Sequence, residues 1–374
     1  MKESVSRDRP RENILMERTE KPLCEALSWL QYVLNSETEM PTVSDWPALF
    51  AFAEKQAIIG ICLPEKCPEN LPKDILIHWI GQIQFIEHQN RLLNRRVLQL
   101  FGMLERDGFQ CCLLKGQGNA MMYPNHFRRC SGDIDVWVNA DEETAYQYVK
   151  RLFPSEKKSF KHFHFPIFKD VPVDVHVTPL KFYCGTYRKR LERWIARNKS
   201  EQFNHKIAFV ETYPDICVPT RKFNIVYQLG HMLRHLFDEG LGLRQVVDYF
   251  YVLKNLYATE KEREDLVAII KSLGMFRFAQ AVMWIESDVL GLPVVRCLVE
   301  PNEKMGRLLL NDILEGGNFG HYTQRYNGKT GVYYMGLVHA MRNIKLLRFA
   351  PMESVTHLFY KIGTAITYPI NGRK

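Results

Sequence analysis

Hydrophobic and polar residues follow two different periods along this chain, and the changes between them predict its elements. Two short stretches, Asp133 to Val138 and Val171 to Val177, alternate apolar and polar residues as half-buried strands do. On both sides of these stretches, apolar residues recur every three or four positions, which is typical of amphipathic helices. The pattern therefore predicts a few short strands between two helical regions.

Capping residues and turn residues give these elements approximate limits. Asp107-Gly108 ends a long helical pattern, and Pro219 precedes the next one, so the strands lie between these two points. Gly316 to Lys329 is glycine-rich and polar, which predicts a long loop. The predicted helices cover 22–35, 46–59, 74–104, 141–153, 225–236, 243–253, 260–273, 276–289, 305–314 and 354–366, and the predicted strands cover 111–114, 133–138, 163–168, 171–177, 207–211 and 216–218.

These elements predict an α+β fold with a small mixed sheet as its core and helical regions on either side. Four segments follow from the pattern. Residues 1–20 are polar and charged and are expected to form a frayed or disordered tail. Residues 21–107 form an N-terminal helical region, 108–218 the sheet-containing core, and 219–374 a C-terminal helical domain.

Two carboxylates lie on one face of a predicted core strand. Asp133 and Asp135 are two positions apart, so both side chains point the same way, while Ile134, Val136 and Val138 point into a core. Neighbouring carboxylates repel each other unless a positive charge lies between them. Mg²⁺ prefers oxygen ligands and completes its coordination with substrate phosphates, so the pair predicts a metal site. A polar cluster in a turn is the structural alternative.

A later strand supplies a third carboxylate. Asp174 and His176 share one face of the predicted strand Val171 to Val177. If this strand lies antiparallel beside the first, Asp174 joins Asp133 and Asp135 in a three-carboxylate site. His162 and His164, on the other arm of the predicted hairpin, are expected first on the solvent face and only secondarily near a substrate.

The order of these motifs resembles that of the polymerase-β-type nucleotidyltransferase superfamily. Within it, the chain is similar to a bacterial family of uncharacterised nucleotidyltransferases. The resemblance rests on Lys115-Gly116, Tyr123-Pro124, Arg129, Asp133-x-Asp135, Asp174-x-His176 and a later helix that carries histidines. It implies transfer of a nucleoside monophosphate from a nucleoside triphosphate to an acceptor. Asp133, Asp135 and Asp174 would hold Mg²⁺ or Mn²⁺, and Asp174 could instead take the acceptor's proton.

The chain departs from the superfamily at the phosphate-binding turn. Gln117 follows Gly116 where the superfamily usually has serine or glycine. The backbone amides of Gly116 to Gly118 could still hold an anion, with Gly116 and Gln117 contacting phosphate. Lys115 and Arg129 would supply positive charge. Alternatively, Arg129 forms a structural ion pair with Asp133 or Asp135.

Two histidines one helical turn apart follow the core. His231 and His235 share one polar side of an otherwise apolar helix. A structural polar cluster between helices is the common explanation for such a pair. The resemblance favours a second one, in which His231, His235 and His176 help to bind the nucleotide or the acceptor. Asp248, on the following helix, is expected to pair with Arg234 or His235.

Composition adds limits on location and partners. The formal net charge of +8 fits a nucleotide partner, but it is not by itself a signature of nucleic-acid binding. A basic run from Tyr187 to Lys199 is too short to indicate a nucleic-acid groove. The nine cysteines form no C-x-x-C motif, which favours reduced thiols in the cytoplasm. No stretch approaches the length of a membrane span, so no membrane partner is expected.

The sequence leaves the acceptor and one rival function open. The expected partners are a nucleoside triphosphate and an acceptor that is a small molecule or a protein, with nucleic acid as a less favoured acceptor. The rival is a non-catalytic nucleotide-binding or peptide-binding protein on the same fold. Gln117 favours the rival, whereas the three clustered carboxylates favour the enzyme.

Overall fold

A computed structural model describes residues 11–35, 39–156, 162–210, 214–318 and 341–367, without the side chains of 11–20 and 364–367. Its α-helices are α1 (Arg11–Asn35), α2 (Trp46–Lys55), α3 (Lys73–Arg106), α4 (Gly116–Ala120), α5 (Glu142–Leu152), α6 (Gly185–Gln202), α7 (Arg221–Asp238), α8 (Leu243–Lys254), α9 (Glu260–Ser272), α10 (Phe276–Trp284), α11 (Glu303–Gly316) and α12 (Pro351–Thr367). Its strands are β1 (Cys111–Leu114), β2 (Ile134–Val138), β3 (Phe163–His164), β4 (Val173–His176), β5 (Lys206–Ile207) and β6 (Ile216–Cys217).

The sheet is mixed, as the sequence predicts, and the α+β class is confirmed. Its strand order is β1-β2-β4-β3, and β5 and β6 form a separate antiparallel pair. Strand β2 pairs antiparallel with β1 and parallel with β4, while β3 pairs antiparallel with β4. The expectation that Asp174 lies on an antiparallel neighbour of β2 is therefore wrong. Helix α5 connects β2 to the strands that follow, and a helical crossover permits parallel pairing.

The two faces of the sheet bury different sets of side chains. Ile134, Val136 and Val138 of β2 enter one apolar core with the second half of α3 and with α5. Trp137 points to the other face and stacks against Phe223 of α7, with their ring centroids 5.7 Å apart. The alternation of β2 is thus real, and its polar face turns toward the C-terminal helices.

The two helical regions share one continuous apolar core. Residues of α1, α2 and the first half of α3 pack in the same cluster as residues of α7 to α11. Helix α3 runs from this cluster to the core of the sheet and so connects the two. The predicted boundary near residue 107 lies between α3 and β1, and the one near residue 218 lies between β6 and α7. The division of the chain into separate domains stays a prediction.

Some predicted limits differ from the observed ones. Helix α1 begins at Arg11, so Pro22 lies inside it rather than at its start, at the loss of one backbone hydrogen bond. Of the predicted tail, residues 1–10 lie outside the described residues, as does most of the loop predicted from Gly316 to Lys329. Strand β5 ends at Ile207, and the end of its predicted range, at residue 211, also lies outside them.

Among the helices of the described residues, none is by itself long and apolar enough to cross a membrane. One pair, Glu260–Ser272 and Phe276–Val289, has sufficient length and composition only when both are taken together across a bend of 119°.

Candidate active site

Three carboxylates converge at the N-terminal ends of β2 and β4. Asp135 and Asp174 occupy directly paired positions of the two parallel strands, and Asp133 immediately precedes β2. One carboxylate oxygen from each of the three residues lies within 4.8 Å of the others. Parallel pairing brings the carboxylates together as well as antiparallel pairing would, because paired residues share a face in both. Within the described part of the chain, this is the one cluster of at least three such ligands.

Asp135 is the most enclosed member of the trio and has two cationic or polar neighbours. Its side chain is buried, with Lys115 Nζ 2.8 Å from one oxygen and His176 Nε2 2.8 Å from the other. Burial alone raises the pKa of this carboxyl, but the Lys115 ammonium and the His176 hydrogen bond outweigh it and hold the pKa well below its usual range. Asp135 is therefore ionised and held between Lys115 and His176.

Asp174 has a different environment, which includes both histidines of the neighbouring strand. His162 Nε2 lies 3.3 Å from one Asp174 oxygen and His164 Nδ1 lies 3.5 Å from the other. Burial raises the pKa of Asp174, and the charge of Asp135 raises it further. Burial also lowers the pKa of His162. His164 is exposed, as expected, although the β3–β4 pairing places it directly opposite Asp174. For His162, which is less exposed and contacts Asp174, the secondary expectation of a position near a substrate stays a prediction.

The turn from β1 into α4 delivers Lys115 to the carboxylates. Lys115 has a φ of 35° and Gly116 a φ of 43°. A lysine rarely adopts positive φ, and such strain is often found at functional sites. The Gly118 amide donates to the Lys115 carbonyl at 2.8 Å, so that amide is already engaged within the turn. Of the three amides proposed from sequence to hold an anion, that of Gly118 is unsuitable.

Gln117 does not face the carboxylates. Its side chain is buried, and its amide nitrogen donates to Asn94 Oδ1 of α3 at 2.6 Å. The helical turn of α4 directs this side chain toward α3, so any phosphate contact of Gln117 must come from its backbone amide, and the contact expected from sequence stays a prediction. Asn119, on the same short helix, accepts hydrogen bonds from Asn224 and Gln228 of α7. Buried amides thus connect α4 to both α3 and α7.

Arg129 is held by a partner other than the ones considered from sequence. Its guanidinium donates to both Asp248 oxygens, from Nε at 2.7 Å and from Nη2 at 2.6 Å. Tyr123 donates to the same carboxylate at 2.6 Å. Neither Asp133 nor Asp135 is the partner of Arg129, and Asp248 does not pair with Arg234, which instead donates to Asp238.

His231 and His235 lie on the wall formed by α7. Their ring centroids are 4.3 Å apart, and His231 also packs against Tyr227. Burial lowers the pKa of His231 well below its ordinary value, and the positive charge of Lys115 lowers it further, so the ring is neutral. His235 Nδ1 lies 3.1 Å from Glu239.

The three carboxylates line a cavity of about 550 Å³ together with Lys115, Arg129 and the two histidines of α7. That volume falls in the range that accommodates small-molecule ligands. Several residues of α7, of α8 and of the loop between β4 and α6 line it without having been assigned to the site from sequence. Four polar residues that line the cavity recur along α7 at spacings of three or four, so the sequence carries a polar stripe that predicts this wall of the cavity. They are Gln228, His231, His235 and Asp238. The cavity-lining residues are Lys115, Gly116, Arg129, Gly132, Asp133, Asp135, His162, Pro172, Asp174, His176, Thr178, Pro179, Leu180, Lys181, Gln228, His231, Arg234, His235, Asp238, Glu239, Arg244, Gln245 and Asp248.

Comparison with known proteins places the chain among its relatives. A model of the family described as uncharacterised nucleotidyltransferase matches residues 42–291, which include all three carboxylates. Among solved structures, an antigenic nucleotidyltransferase-like protein from Paracoccidioides brasiliensis is similar over 54% of this chain and 93% of its own length. Its sequence identity is 11% and its TM-score 0.33. A search of curated proteins found no match.

Proposed function

The chain belongs to the uncharacterised nucleotidyltransferase family, and from this premise we propose that it is a metal-dependent nucleotidyltransferase of the polymerase-β type. It moves a nucleoside monophosphate from a nucleoside triphosphate to an acceptor, which is a small molecule or a protein. The observation that carries the proposal is the convergence of Asp133, Asp135 and Asp174 in one cavity.

The donor set suits a hard divalent cation. Three carboxylates within 4.8 Å of one another offer oxygen ligands only, which Mg²⁺ and Mn²⁺ prefer. The Lys115 ammonium beside Asp135 supports the same conclusion, because this cluster requires positive charge. When bound, the metal neutralises phosphate oxygens and favours the departure of pyrophosphate.

The reaction needs a base and a fixed geometry, and the chain offers both. The acceptor oxygen attacks the α-phosphorus, and the bond from that phosphorus to the bridging oxygen breaks, so pyrophosphate leaves with the electron pair. Asp174 takes the acceptor's proton, since its raised pKa makes it the more basic carboxylate next to Asp135. His176 holds Asp135 in position through its 2.8 Å hydrogen bond.

The charged and polar side chains have two roles in this proposal: some contact the substrate, and others hold the site in place. Lys115 and the Gly116 backbone contact the triphosphate in this proposal, as expected from sequence. Arg129 supports the loop through Asp248 rather than gripping phosphate, because both of its outer nitrogens already donate to protein atoms. His231 and His235 form the opposite wall, where the nucleoside or the acceptor lies.

The rival function, a non-catalytic binding protein, keeps the support of Gln117, whose side chain joins α4 to α3 and offers the cavity no hydroxyl group. The three carboxylates in one cavity favour the enzyme. The reduced cytoplasm is the proposed location, since all nine cysteines are free thiols.

Two labelled nucleotides test the transfer. The purified chain is incubated with Mg²⁺, a cell extract as the source of acceptors, and a nucleoside triphosphate labelled with ³²P at the α or the γ position. We expect α label, and no γ label, on an acceptor, with none transferred by Asp135→Asn. In parallel, a nucleoside triphosphate with Mg²⁺ should raise the melting temperature of the wild type but not of the variant. A metal-dependent shift without α transfer would favour the rival.

A further inference from the structure

The last helices of the described chain carry an apolar surface that the proposed site does not use. On α12, Met352, Val355, Phe359 and Ile362 recur at spacings of three or four, so they form one stripe. All four are exposed, and Phe359 retains 68% of its accessible surface. A stripe of large apolar side chains in water is unfavourable and marks an interaction site.

The helical residues 341–346 extend this surface. Asn343 of this segment and His357 of α12 are both buried, and Asn343 Oδ1 lies 2.9 Å from His357 Nδ1. Both helices also pack against the C-terminal part of α7, where His357 contacts Phe237 and Arg342 donates to the Leu236 carbonyl. Met341 and Ile344 are exposed, Ile344 at 62%. Both helices therefore bury the sides that face α7 and turn their apolar side chains away from it.

The charge of this region has one sign. From Gly316 to the end of the chain, eight residues are lysine or arginine, and Glu353 alone is acidic. Glu353 is buried, where it accepts hydrogen bonds from the backbone amides of Tyr183 and Cys184 at the start of α6. Lys345 and Arg348 are exposed beside the apolar side chains. Along the described residues 341–363, no acidic side chain reaches the surface.

We propose that this surface docks onto an anionic lipid bilayer. We call it the C-terminal apolar face and define it as Met341, Ile344, Met352, Val355, Phe359 and Ile362. Its side chains enter the boundary between headgroups and acyl chains, while Lys345 and Arg348 contact anionic headgroups. An apolar helix face flanked by basic residues is the arrangement that binds such interfaces without spanning them.

The charge of this surface favours lipid over a second copy of the chain. A two-fold dimer pairs the face with itself, so it brings two copies of Lys345 and two of Arg348 into one interface, and like charges repel. An anionic bilayer complements the same charges. The expectation from sequence that no membrane takes part rested on the lack of a membrane-spanning stretch, which a surface-bound helix does not need.

Vesicle flotation with the full chain tests the proposal. Vesicles of phosphatidylcholine alone are compared with vesicles that also contain phosphatidylglycerol. We expect the wild type to float with the anionic vesicles and not with the neutral ones, and to dissociate as salt increases. Failure to bind anionic vesicles, or equal binding to both kinds, overturns the proposal.

Matched variants locate the contact. Ile344→Ser with Phe359→Ser should reduce partition into anionic vesicles roughly tenfold or more, because apolar burial drives insertion. The control, Ile77→Ser with Phe85→Ser, changes equally exposed residues of α3, at 70% and 61% exposure, and should bind like the wild type. Equal loss in both pairs overturns the proposal. Circular dichroism confirms that each variant is folded.

Charge reversal gives an independent arm. Lys345→Glu with Arg348→Glu should abolish binding, whereas Lys189→Glu with Arg197→Glu on the exposed surface of α6 should not. Sedimentation velocity covers the alternative of a second copy. If the wild type is a dimer that the Ile344/Phe359 variant dissociates, and neither protein binds vesicles, the C-terminal apolar face is an interface between chains and the lipid proposal fails.

Discussion

The ion pair between Arg129 and Asp248 should be a main source of stability beside the cavity. Both side chains are buried, and two charge-assisted hydrogen bonds of 2.7 and 2.6 Å join them. Burial alone lowers the pKa of Arg129, but the carboxylate of Asp248 more than reverses this. Asp248→Asn keeps the volume and removes the charge, which leaves a buried guanidinium without its counterion.

The burial of this ion pair determines how much stability Asp248→Asn loses. Breaking a buried pair by removing one partner costs about 3 to 5 kcal/mol, because the remaining charge stays desolvated. Tyr123 also loses its charged acceptor, so the upper part of that range applies. For a chain of this size, the loss corresponds to a fall in melting temperature of roughly 5 °C or more.

A matched exposed pair provides the control. Arg96 binds Asp170 through the same two nitrogens, at 3.1 and 2.6 Å, but on the protein surface. Thermal unfolding followed by circular dichroism compares Asp248→Asn with Asp170→Asn at low and high salt. We expect a large fall for the buried variant and little change for the exposed one, since exposed pairs contribute little. Similar shifts in both variants would refute the reasoning.

Three further predictions concern two residues of the cavity wall and Gln117 of the neighbouring helix α4. Because the pKa of Asp174 is raised, the stability that this group contributes should be lost as pH increases from about 3.8, the ordinary value, through the raised value. The stability of the wild type relative to Asp174→Asn should therefore fall across this range, and parallel slopes of the two proteins in urea titrations would contradict it. Because the pKa of His231 is lowered, the stability that its neutral ring contributes should be lost as pH falls below 6.5, and His231→Gln should weaken this acid sensitivity. An unchanged pH profile of stability in the variant would show that His231 is not held neutral. Gln117→Ala should lower the free energy of unfolding by roughly 1 to 3 kcal/mol, since Asn94 loses its buried donor, and should leave nucleotide affinity unchanged. A loss of nucleotide affinity measured by calorimetry would show that the Gln117 side chain contributes to binding.

The sequence predicts the carboxylate trio well because strand alternation is a local property. Asp133 and Asp135 share a face whatever their strand pairs with, and the alternation around Asp174 fixes its face in the same way. Whether β2 and β4 run parallel or antiparallel depends on the path of the chain between them. That path includes α5, and local periodicity does not determine how a strand pairs after such a crossover.

Long-range partners were the part that the sequence could not predict. Arg129 and Asp248 are 119 residues apart, and the contact depends on how α8 packs against the loop before β2. The direction of the Gln117 side chain depends likewise on the packing of α4 against α3. A residue's type shows that it needs a partner, but only the packed helices decide which polar group is within reach.

Binding of Mn²⁺ to the three carboxylates tests the central claim most directly. Electron paramagnetic resonance measures free Mn²⁺ as protein is added with a non-hydrolysable nucleoside triphosphate analogue. The account predicts stoichiometric binding by the wild type and by Asp265→Asn, an exposed carboxylate of α9, and affinity lower by roughly tenfold or more in Asp135→Asn. Equal Mn²⁺ affinity in the wild type and Asp135→Asn would contradict it.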